Sequence, residues 1–151
     1  MKIGEKLSDI KFYIDNNKVL KSGDLIGKKL LIYFYPKDDT PGCTKEASDF
    51  NELLNKFSKL NTNIIGISKD NLEKHQKFKN KYNLKLNLAS DEDLTICKLF
   101  KVWVEKSMYG KKYMGIERST FLFDEKLTLI KFWRNVKVKG HAMEILDFLS
   151  N

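Results

Sequence analysis

One short segment carries the side chains best suited to covalent chemistry. Residues 36–46 read P-K-D-D-T-P-G-C-T-K-E and follow an apolar run. Thr40 is a favoured N-cap residue and Pro41 is favoured at the first helical position, so the pattern places Cys43 in the first turn of a helix. Unpaired N–H groups and the positive end of the helix dipole favour a thiolate there, the reactive form of cysteine. Cys43 is therefore a candidate nucleophile, and a small buried residue is the alternative.

Several kinds of cysteine chemistry can be compared with this segment. A thioredoxin-type reductase needs C-x-x-C, whereas Thr44, Lys45 and Glu46 follow Cys43. A Cys–His hydrolase needs a histidine base, and the chain offers only His75 and His141, which no motif supports. The chain has only two cysteines, too few for a disulfide scaffold or a zinc site. We expect thiols at rest, no metal and no organic cofactor.

The strand that must position Cys43 is the apolar run before it. Residues 30–35 read L-L-I-Y-F-Y and predict a central strand buried on both faces. A second such strand is expected over residues 63–68. A strand-to-helix turn is also where open α/β sheets usually hold their sites. The remaining predicted strands form two hairpins, one from strands 118–123 and 127–133 and one over residues 10–20, broken at Asp15-Asn16-Asn17.

Apolar periodicity predicts the helices. The first begins near Cys43 and keeps one apolar face from Ala47 to Leu60. The last runs from about Gly140 to Leu149. Two further helices are expected after capping-type pairs, Asp70 with Glu73 for a helix ending at Tyr82, and Ser90 with Asp93 for a helix with Leu94, Cys97 and Phe100 on its apolar face.

The order of these elements indicates the fold class. Strands alternate with helices and the chain closes with a hairpin and a helix, which predicts a three-layer α/β sandwich around a mixed sheet. We expect residues 1–151 to form a single domain. The stretch 102–117 contains Gly110 and Gly115 and is predicted to be irregular.

Composition excludes several classes of protein. The chain has 151 residues, of which 42% are hydrophobic and 32% are charged, and it holds ten Phe and six Tyr. Such content fits a globular core and not a disordered chain. No apolar run approaches the roughly 18 residues that cross a bilayer, and the N-terminus resembles no secretory signal. A cytoplasmic protein without membrane partners is expected.

The positive charge has a plain interpretation. Lys and Arg total 28 against 20 Asp and Glu, which gives a net charge of +8. Only Arg118 and Arg134 are arginines, and the lysines are scattered, whereas nucleic-acid recognition favours the planar fork of arginine. We therefore expect a solvated lysine surface and no nucleic-acid partner. A polyanion-binding module is the alternative, and its binding would weaken with salt and not depend on Cys43.

The motif around Cys43 resembles that of a known family. Pro36-x-x-x-Thr40-x-x-Cys43 resembles the peroxiredoxin signature, and the fuller pattern over residues 33–47 resembles the Q-type subfamily, also called bacterioferritin comigratory proteins. The resemblance continues through residues 90–93, 102–106, 113–121 and the turn at Asp124. It implies a thioredoxin-like fold with an N-terminal β-hairpin extension. It also implies a monomeric peroxidase that reduces hydrogen peroxide and organic hydroperoxides with electrons from small thiol–disulfide proteins.

The resemblance implies a role for each matched residue. Cys43 would be the peroxidatic nucleophile and would become a sulfenic acid. Thr40 would hydrogen-bond to the thiolate and the peroxide, Pro36 would cover the pocket, and Arg118 would place a positive charge beside the sulfur. Glu46 would help to hold Arg118. Without the resemblance, the simpler alternatives are a helix cap, a strand stop and a surface charge for Thr40, Pro36 and Arg118.

The sequence departs from the family at the resolving cysteine. Many Q-type members carry it five residues after the peroxidatic one, where this chain has Ser48, and others carry it in the stretch matching residues 78–80, which has none. Cys97 lies on the predicted apolar face of its helix, where a buried thiol is usually inert. We therefore predict a one-cysteine cycle reduced by thioredoxin, glutaredoxin or glutathione. A two-cysteine cycle with Cys97 as resolving residue is the alternative.

Overall fold

Apolar strands form the centre of the molecule, as their sequence predicts. A computed structural model describes residues 1–14 and 18–151. The strands are β1 Lys11–Ile14, β2 Lys18–Lys21, β3 Lys29–Phe34, β4 Thr62–Ser68, β5 Asn87–Ser90, β6 Trp103–Met108, β7 Lys111–Ile116, β8 Ser119–Phe123 and β9 Leu129–Trp133. The helices are α1 Pro41–Glu52, α2 Leu54–Lys59, α3 Leu72–Tyr82, α4 Thr95–Leu99 and α5 His141–Ser150, with a 3₁₀ turn at Ser22–Leu25.

Seven of these strands form one mixed sheet. Their order is β2-β1-β5-β4-β3-β8-β9, with β3, β4 and β5 parallel and the outer strands antiparallel to their neighbours. Both predicted hairpins are confirmed, although the expected break at 15–17 lies outside the described residues. The pairing of Phe34 with Ser119 brings the start of β8 to the carboxyl end of β3. Whatever precedes Ser119 therefore lies beside the loop that leads to α1.

Each face of the sheet is covered by its own apolar cluster. One cluster packs α1, α2, α3 and α5 against β3 and β4, and it includes Cys43. The other packs α4 against the opposite face, which includes side chains of β1, β3, β4 and β8, and it includes Cys97. This arrangement confirms the predicted three-layer sandwich with a mixed sheet and an N-terminal hairpin. The two cysteines lie on opposite sides of the sheet.

The first predicted helix is interrupted. At Leu53 the backbone leaves the helical region, with φ −95° and ψ 3°, and a separate short helix α2 begins at Leu54. Phe50 and Phe57 are both fully buried, and their ring centroids lie 6.1 Å apart. The change of direction thus lets residues from both helices enter one cluster, while Leu53 and Leu54 are only partly buried.

Two predicted helix starts are wrong in their capping residue. Asn71, not Asp70, caps α3 by accepting a hydrogen bond from the backbone N–H of Lys74 at 2.9 Å. Ser90 ends β5, and α4 begins only at Thr95. Both predicted capping side chains make a tertiary hydrogen bond instead. Asp70 accepts from the backbone N–H of Asp38, and Ser90 donates to the carbonyl of Asp70.

The stretch predicted to be irregular is a β-hairpin. Strands β6 and β7 pair over six residues each and form a separate two-stranded sheet. Tyr109 and Gly110 join them with φ values of 52° and 80°, and two successive positive φ values characterise the tight turns of hairpins. Most side chains of the hairpin are exposed on both faces, so the apolar alternation of a half-buried strand is missing from its sequence.

None of the described helices is long and apolar enough to cross a membrane.

Candidate active site

Cys43 lies where the sequence places it, in the first turn of α1. Thr40 is the N-cap residue, Pro41 is the first residue of the helix, and Cys43 is the third. The backbone N–H of Thr44 donates to the carbonyl of Thr40 at 2.8 Å and closes the turn. No acidic residue occupies this turn, so no carboxylate within it competes with the sulfur for the positive end of the helix dipole. The cysteine is 1% exposed.

Arg118 supplies the cation that the resemblance implies. It lies immediately before β8, and the Phe34–Ser119 pairing brings it to the carboxyl end of β3. Its Nη2 donates to Cys43 Sγ at 3.3 Å, and its Nη1 donates to Glu46 Oε1 at 2.6 Å. A Cβ atom at Gly42 would lie 3.3 Å from Nη2, so the missing side chain makes room for the guanidinium. The structure therefore brings together three of the predicted site residues.

Burial sets the electrostatics of this group. Desolvation raises the pKa of Glu46 to about 7, and the guanidinium of Arg118 limits the rise. Burial also opposes the charge of Arg118, but Glu46 and Cys43 outweigh it and raise the pKa of the guanidinium. Arg118 thus remains a cation, shared between a carboxylate and a sulfur. Within the part of the chain that the structure describes, Glu46 Oε2 is buried without a hydrogen-bond partner.

Two predicted residues border the site without forming the expected contacts. Thr40 is half-buried, and its hydroxyl donates to the carbonyl of Lys37 at 3.1 Å. Although Thr40 occupies the N-cap position, its side chain makes no capping hydrogen bond, and among the described hydrogen bonds it makes none to Cys43. Pro36 is half-buried in the loop between β3 and α1. Both therefore line the approach to α1, and Thr40 has free lone pairs to offer a ligand.

A tyrosine lies beneath this group. Tyr33 is fully buried, and burial, Glu46 and Cys43 raise the pKa of its hydroxyl well above the ordinary value. The opposite residue on β4 is Gly66, where a Cβ atom would lie 2.6 Å from the tyrosine ring. No side chain could replace this glycine without displacing the ring. Tyr33 is thus a neutral phenol on the same face of the sheet as Cys43.

A buried polar network was missed by the sequence prediction. His75 is fully buried and contacts Asp38 at 2.6 Å, although the surrounding helix sequence is polar. His75, Phe78 and Tyr82 follow one another at steps of three and four, a helical spacing that indicates that His75 faces inward with them. No local pattern could have named Asp38 as the partner, because it lies 37 positions away in the chain.

The second cysteine has a different environment. Cys97 is fully buried on the far side of the sheet, and burial followed by the Asp91 carboxylate raises the pKa of its thiol well above the ordinary value. Both cysteines are free.

Across residues 1–14 and 18–151, no cluster of His, Cys, Asp and Glu is arranged to hold a metal ion.

The histidine base of a Cys–His hydrolase finds no support in the described hydrogen bonds. His75 is bonded to Asp38 and Ala89, while His141 Nε2 and the Thr120 hydroxyl lie 2.8 Å apart. Burial lowers the pKa of His141 to about 4, opposed by Glu144 and assisted by Arg118. The polar partner of Cys43 is instead a permanent cation.

The site and fold together define a class of protein. A cysteine in a helix first turn, next to an arginine and at the carboxyl end of a central strand, is suited to nucleophilic thiol chemistry in which negative charge develops. Residues 3–132 match the model of the AhpC/TSA family. The chain belongs to this family, and it is a peroxiredoxin.

Individual relatives are similar to this chain over nearly its whole length. Peroxiredoxin Bcp of Bacillus subtilis is 48% identical over 151 residues, covering 100% of this chain and 96% of the relative. The bacterioferritin comigratory protein of Xanthomonas campestris, whose structure was studied for alkyl peroxide reduction, is 42% identical with a TM-score of 0.88, covering 93% of this chain and 90% of that one. A PrxQ mutant of Xylella fastidiosa is 38% identical with a TM-score of 0.95, covering 99% and 96%. The neighbours confirm the thioredoxin-like fold and the Q-type resemblance.

Proposed function

We propose that Cys43 is the peroxidatic residue with which this peroxiredoxin reduces hydrogen peroxide and alkyl hydroperoxides. The observation that carries the proposal is the 3.3 Å contact between Arg118 Nη2 and Cys43 Sγ in the first turn of α1. The thiolate attacks the terminal peroxide oxygen, a sulfur–oxygen bond forms and the oxygen–oxygen bond breaks. The cysteine becomes a sulfenic acid, and the leaving hydroxide or alkoxide takes a proton from solvent to become water or an alcohol.

The neighbouring residues have distinct roles in this step. Arg118 stabilises the thiolate and then the negative charge on the leaving oxygen. Glu46 holds the guanidinium through its 2.6 Å ion pair and so fixes the angle at which Nη2 meets the sulfur. The lone pairs of the Thr40 hydroxyl accept a hydrogen bond from the peroxide, while Pro36 limits access of water to the loop.

We propose a one-cysteine cycle for the reductive half of the reaction. Cys97 lies across the sheet from Cys43, is fully buried, and has a pKa raised by burial and by Asp91. A disulfide needs Cα atoms within about 7 Å, which two cysteines in separate layers do not offer without rearrangement of the sheet. The position five residues after Cys43 is Ser48. An external thiol therefore attacks the sulfenic acid and releases water, and a second thiol cleaves the mixed disulfide.

The external thiol is proposed to come from thioredoxin, glutaredoxin or glutathione. The two free cysteines fit a reducing compartment, and we propose the cytoplasm as the location. The Q-type resemblance supports a monomer. Peroxide turnover coupled to each purified reductant compares the three donors, and light scattering of the eluted protein measures its mass in solution.

A single-turnover experiment tests the chemistry. Reduced wild-type protein, Cys43→Ser and Cys97→Ser each receive one equivalent of hydrogen peroxide, after which residual peroxide, free thiols and intact mass are measured. We expect Cys97→Ser to consume peroxide like the wild type and to gain one oxygen, and Cys43→Ser to consume none. Consumption by Cys43→Ser contradicts the assignment of the nucleophile. A wild-type mass lower by two hydrogens, absent in Cys97→Ser, contradicts the one-cysteine cycle.

A further inference from the structure

A buried network anchors the loop that leads to the first turn of α1. Asp38 Oδ2 lies 2.6 Å from His75 Nδ1, and Asp38 Oδ1 accepts a hydrogen bond from the Tyr35 hydroxyl at 2.6 Å. Asp38 is 8% exposed and His75 is fully buried. The network thus connects the loop over residues 35–40 with α3.

Hydrogen bonds hold both nitrogens of the His75 ring. His75 Nε2 lies 3.0 Å from the carbonyl oxygen of Ala89, which can only accept, so Nε2 donates. Nδ1 lies 2.6 Å from Asp38 Oδ2. Because both residues are buried, solvent does not replace a partner lost from this pair, and the pair holds the loop against α3.

The backbone of the same loop is held as well. The N–H of Asp38 donates to Asp70 Oδ2 at 2.8 Å, and Ser68 Oγ donates to the same oxygen at 2.8 Å. The next residue, Asp39, has φ 61°, a left-handed conformation that costs energy for any residue other than glycine. Thr40 then begins α1. A strained turn that is held from both sides transmits any loosening at Asp38 to the first turn of the helix.

We propose that Asp38 and His75 form a positioning clamp that holds loop 35–40 and the first turn of α1 where Cys43 meets Arg118. Neither residue touches the sulfur, so both are positioning residues. The inference rests on the proposed role of Cys43. Loosening the clamp separates Sγ from Nη2, which slows the reaction with peroxide, and at the same time exposes Cys43, which is otherwise buried.

The neighbouring carboxylate provides a matched control. Asp39 also links the loop to α3, through Lys81 Nζ at 2.8 Å and the Tyr82 hydroxyl at 2.5 Å, but it is exposed. Asp38→Ala removes the buried partner of His75. Asp38→Asn keeps both connections, because the amide nitrogen can donate to Nδ1 while the amide oxygen still accepts from Tyr35. Asp39→Asn changes a carboxylate of the same loop without touching the clamp.

Two rates with opposite expected changes form the test. The first is the second-order rate constant for hydrogen peroxide, and the second is alkylation of reduced Cys43 by iodoacetamide, followed by peptide mass spectrometry. In Asp38→Ala we expect peroxide reactivity to fall at least about tenfold and alkylation to rise at least about tenfold. In Asp38→Asn and Asp39→Asn we expect both rates to stay within about threefold of the wild type. Circular dichroism confirms that each variant is folded.

Any other pattern overturns the proposal. Rates that stay unchanged in Asp38→Ala, or that both fall or both rise, show that the network does not position the sulfur. If Asp38→Ala does not fold, Tyr35→Phe removes one hydrogen bond of the network and must shift both rates in the stated directions. Failure of the wild type to react with peroxide at Cys43 contradicts the proposed function instead, and the alkylation rates still test the clamp.

Discussion

Cys43 and Cys97 occupy the same position in two different helices. Each is the third residue, Cys43 in Pro41–Glu52 and Cys97 in Thr95–Leu99, and each is buried. Their helix starts differ in charge. The first turn of α1 holds no carboxylate and faces Arg118, whereas at α4 the Asp91 carboxylate accepts from the backbone N–H groups of Ile96 at 3.0 Å and Cys97 at 2.7 Å.

Burial alone does not determine whether a cysteine thiol is suited to act as a nucleophile. Both cysteines lose water, which by itself disfavours the thiolate. At Cys97 the nearby Asp91 adds to this effect, and the pKa of the thiol rises well above its ordinary value. At Cys43 the guanidinium donates directly to the sulfur, so the nearest charge is positive. The sign of the neighbouring charge separates a candidate nucleophile from a packing residue.

The largest test of this comparison removes the cation from Cys43. Arg118→Met keeps an unbranched apolar side chain but supplies no donor to the sulfur or to the leaving oxygen. We expect the second-order rate constant for hydrogen peroxide to fall about 10²- to 10³-fold, the usual cost of losing one preorganised donor. Stopped-flow measurement of peroxide consumption gives the rate. Arg118→Lys serves as the control that keeps the charge, and an Arg118→Met rate within about threefold of the wild type contradicts the comparison.

A second test concerns the carboxylate that shares Arg118. Burial raises the pKa of Glu46 from 4.5 to about 7, so the folded protein binds a proton more tightly than the unfolded chain. Stability from this group is full below about pH 4.5 and declines as pH rises to about 7, on the order of 3 kcal/mol in all. Relative to Glu46→Gln, the wild type should lose free energy of unfolding over this range in urea titrations. If the free energies of unfolding of the two proteins change in parallel with pH, the raised pKa of Glu46 is contradicted.

A third test alters the charge beside Cys97. Asp91→Asn leaves one acceptor oxygen for the two N–H groups at the start of α4, so we expect a loss of about 2 kcal/mol in the free energy of unfolding. Native Cys97 should remain unreactive to iodoacetamide, because it is fully buried and no cation replaces Asp91. Asp93→Asn is the control, since Asp93 is exposed and, within residues 1–14 and 18–151, its carboxylate accepts from Thr95 alone, so its loss of stability should be smaller. Rapid alkylation of Cys97 in folded Asp91→Asn would show that the carboxylate alone keeps it inert.

The smallest effect is expected at the glycine next to Cys43. Gly42→Ala places a methyl group 3.3 Å from Arg118 Nη2, a tight contact that shifts the guanidinium slightly from the sulfur. We expect the peroxide rate constant to fall about three- to tenfold without a change in the folded spectrum. Gly23→Ala is a matched control, because its Cβ atom would meet nothing within 4 Å. Equal rates for the two alanine variants would show that Arg118 tolerates the displacement.

Elements with a clear pattern of apolar side chains were predictable from the sequence, and elements without one were not. The apolar run before Pro36 gave β3 within one residue, because a strand buried on both faces needs continuous apolar side chains. Hairpin β6–β7 has exposed side chains on both faces, so no period marks it. Likewise, Asn71 and not Asp70 caps α3, because Asp70 accepts from the backbone N–H of Asp38, a residue 32 positions away that no local pattern reveals.

The sequence by itself determined the start of α1 and the place of Cys43 within it, because the preference of proline for the first helical position acts between neighbouring residues. Its motif also determined the family. Only the tertiary structure decided which side chains meet the sulfur and which side of the sheet holds Cys97. Arg118 lies 75 positions from Cys43, and the register of β8 against β3 is what brings them together. Such contacts depend on the pairing of distant strands, which no local spacing specifies.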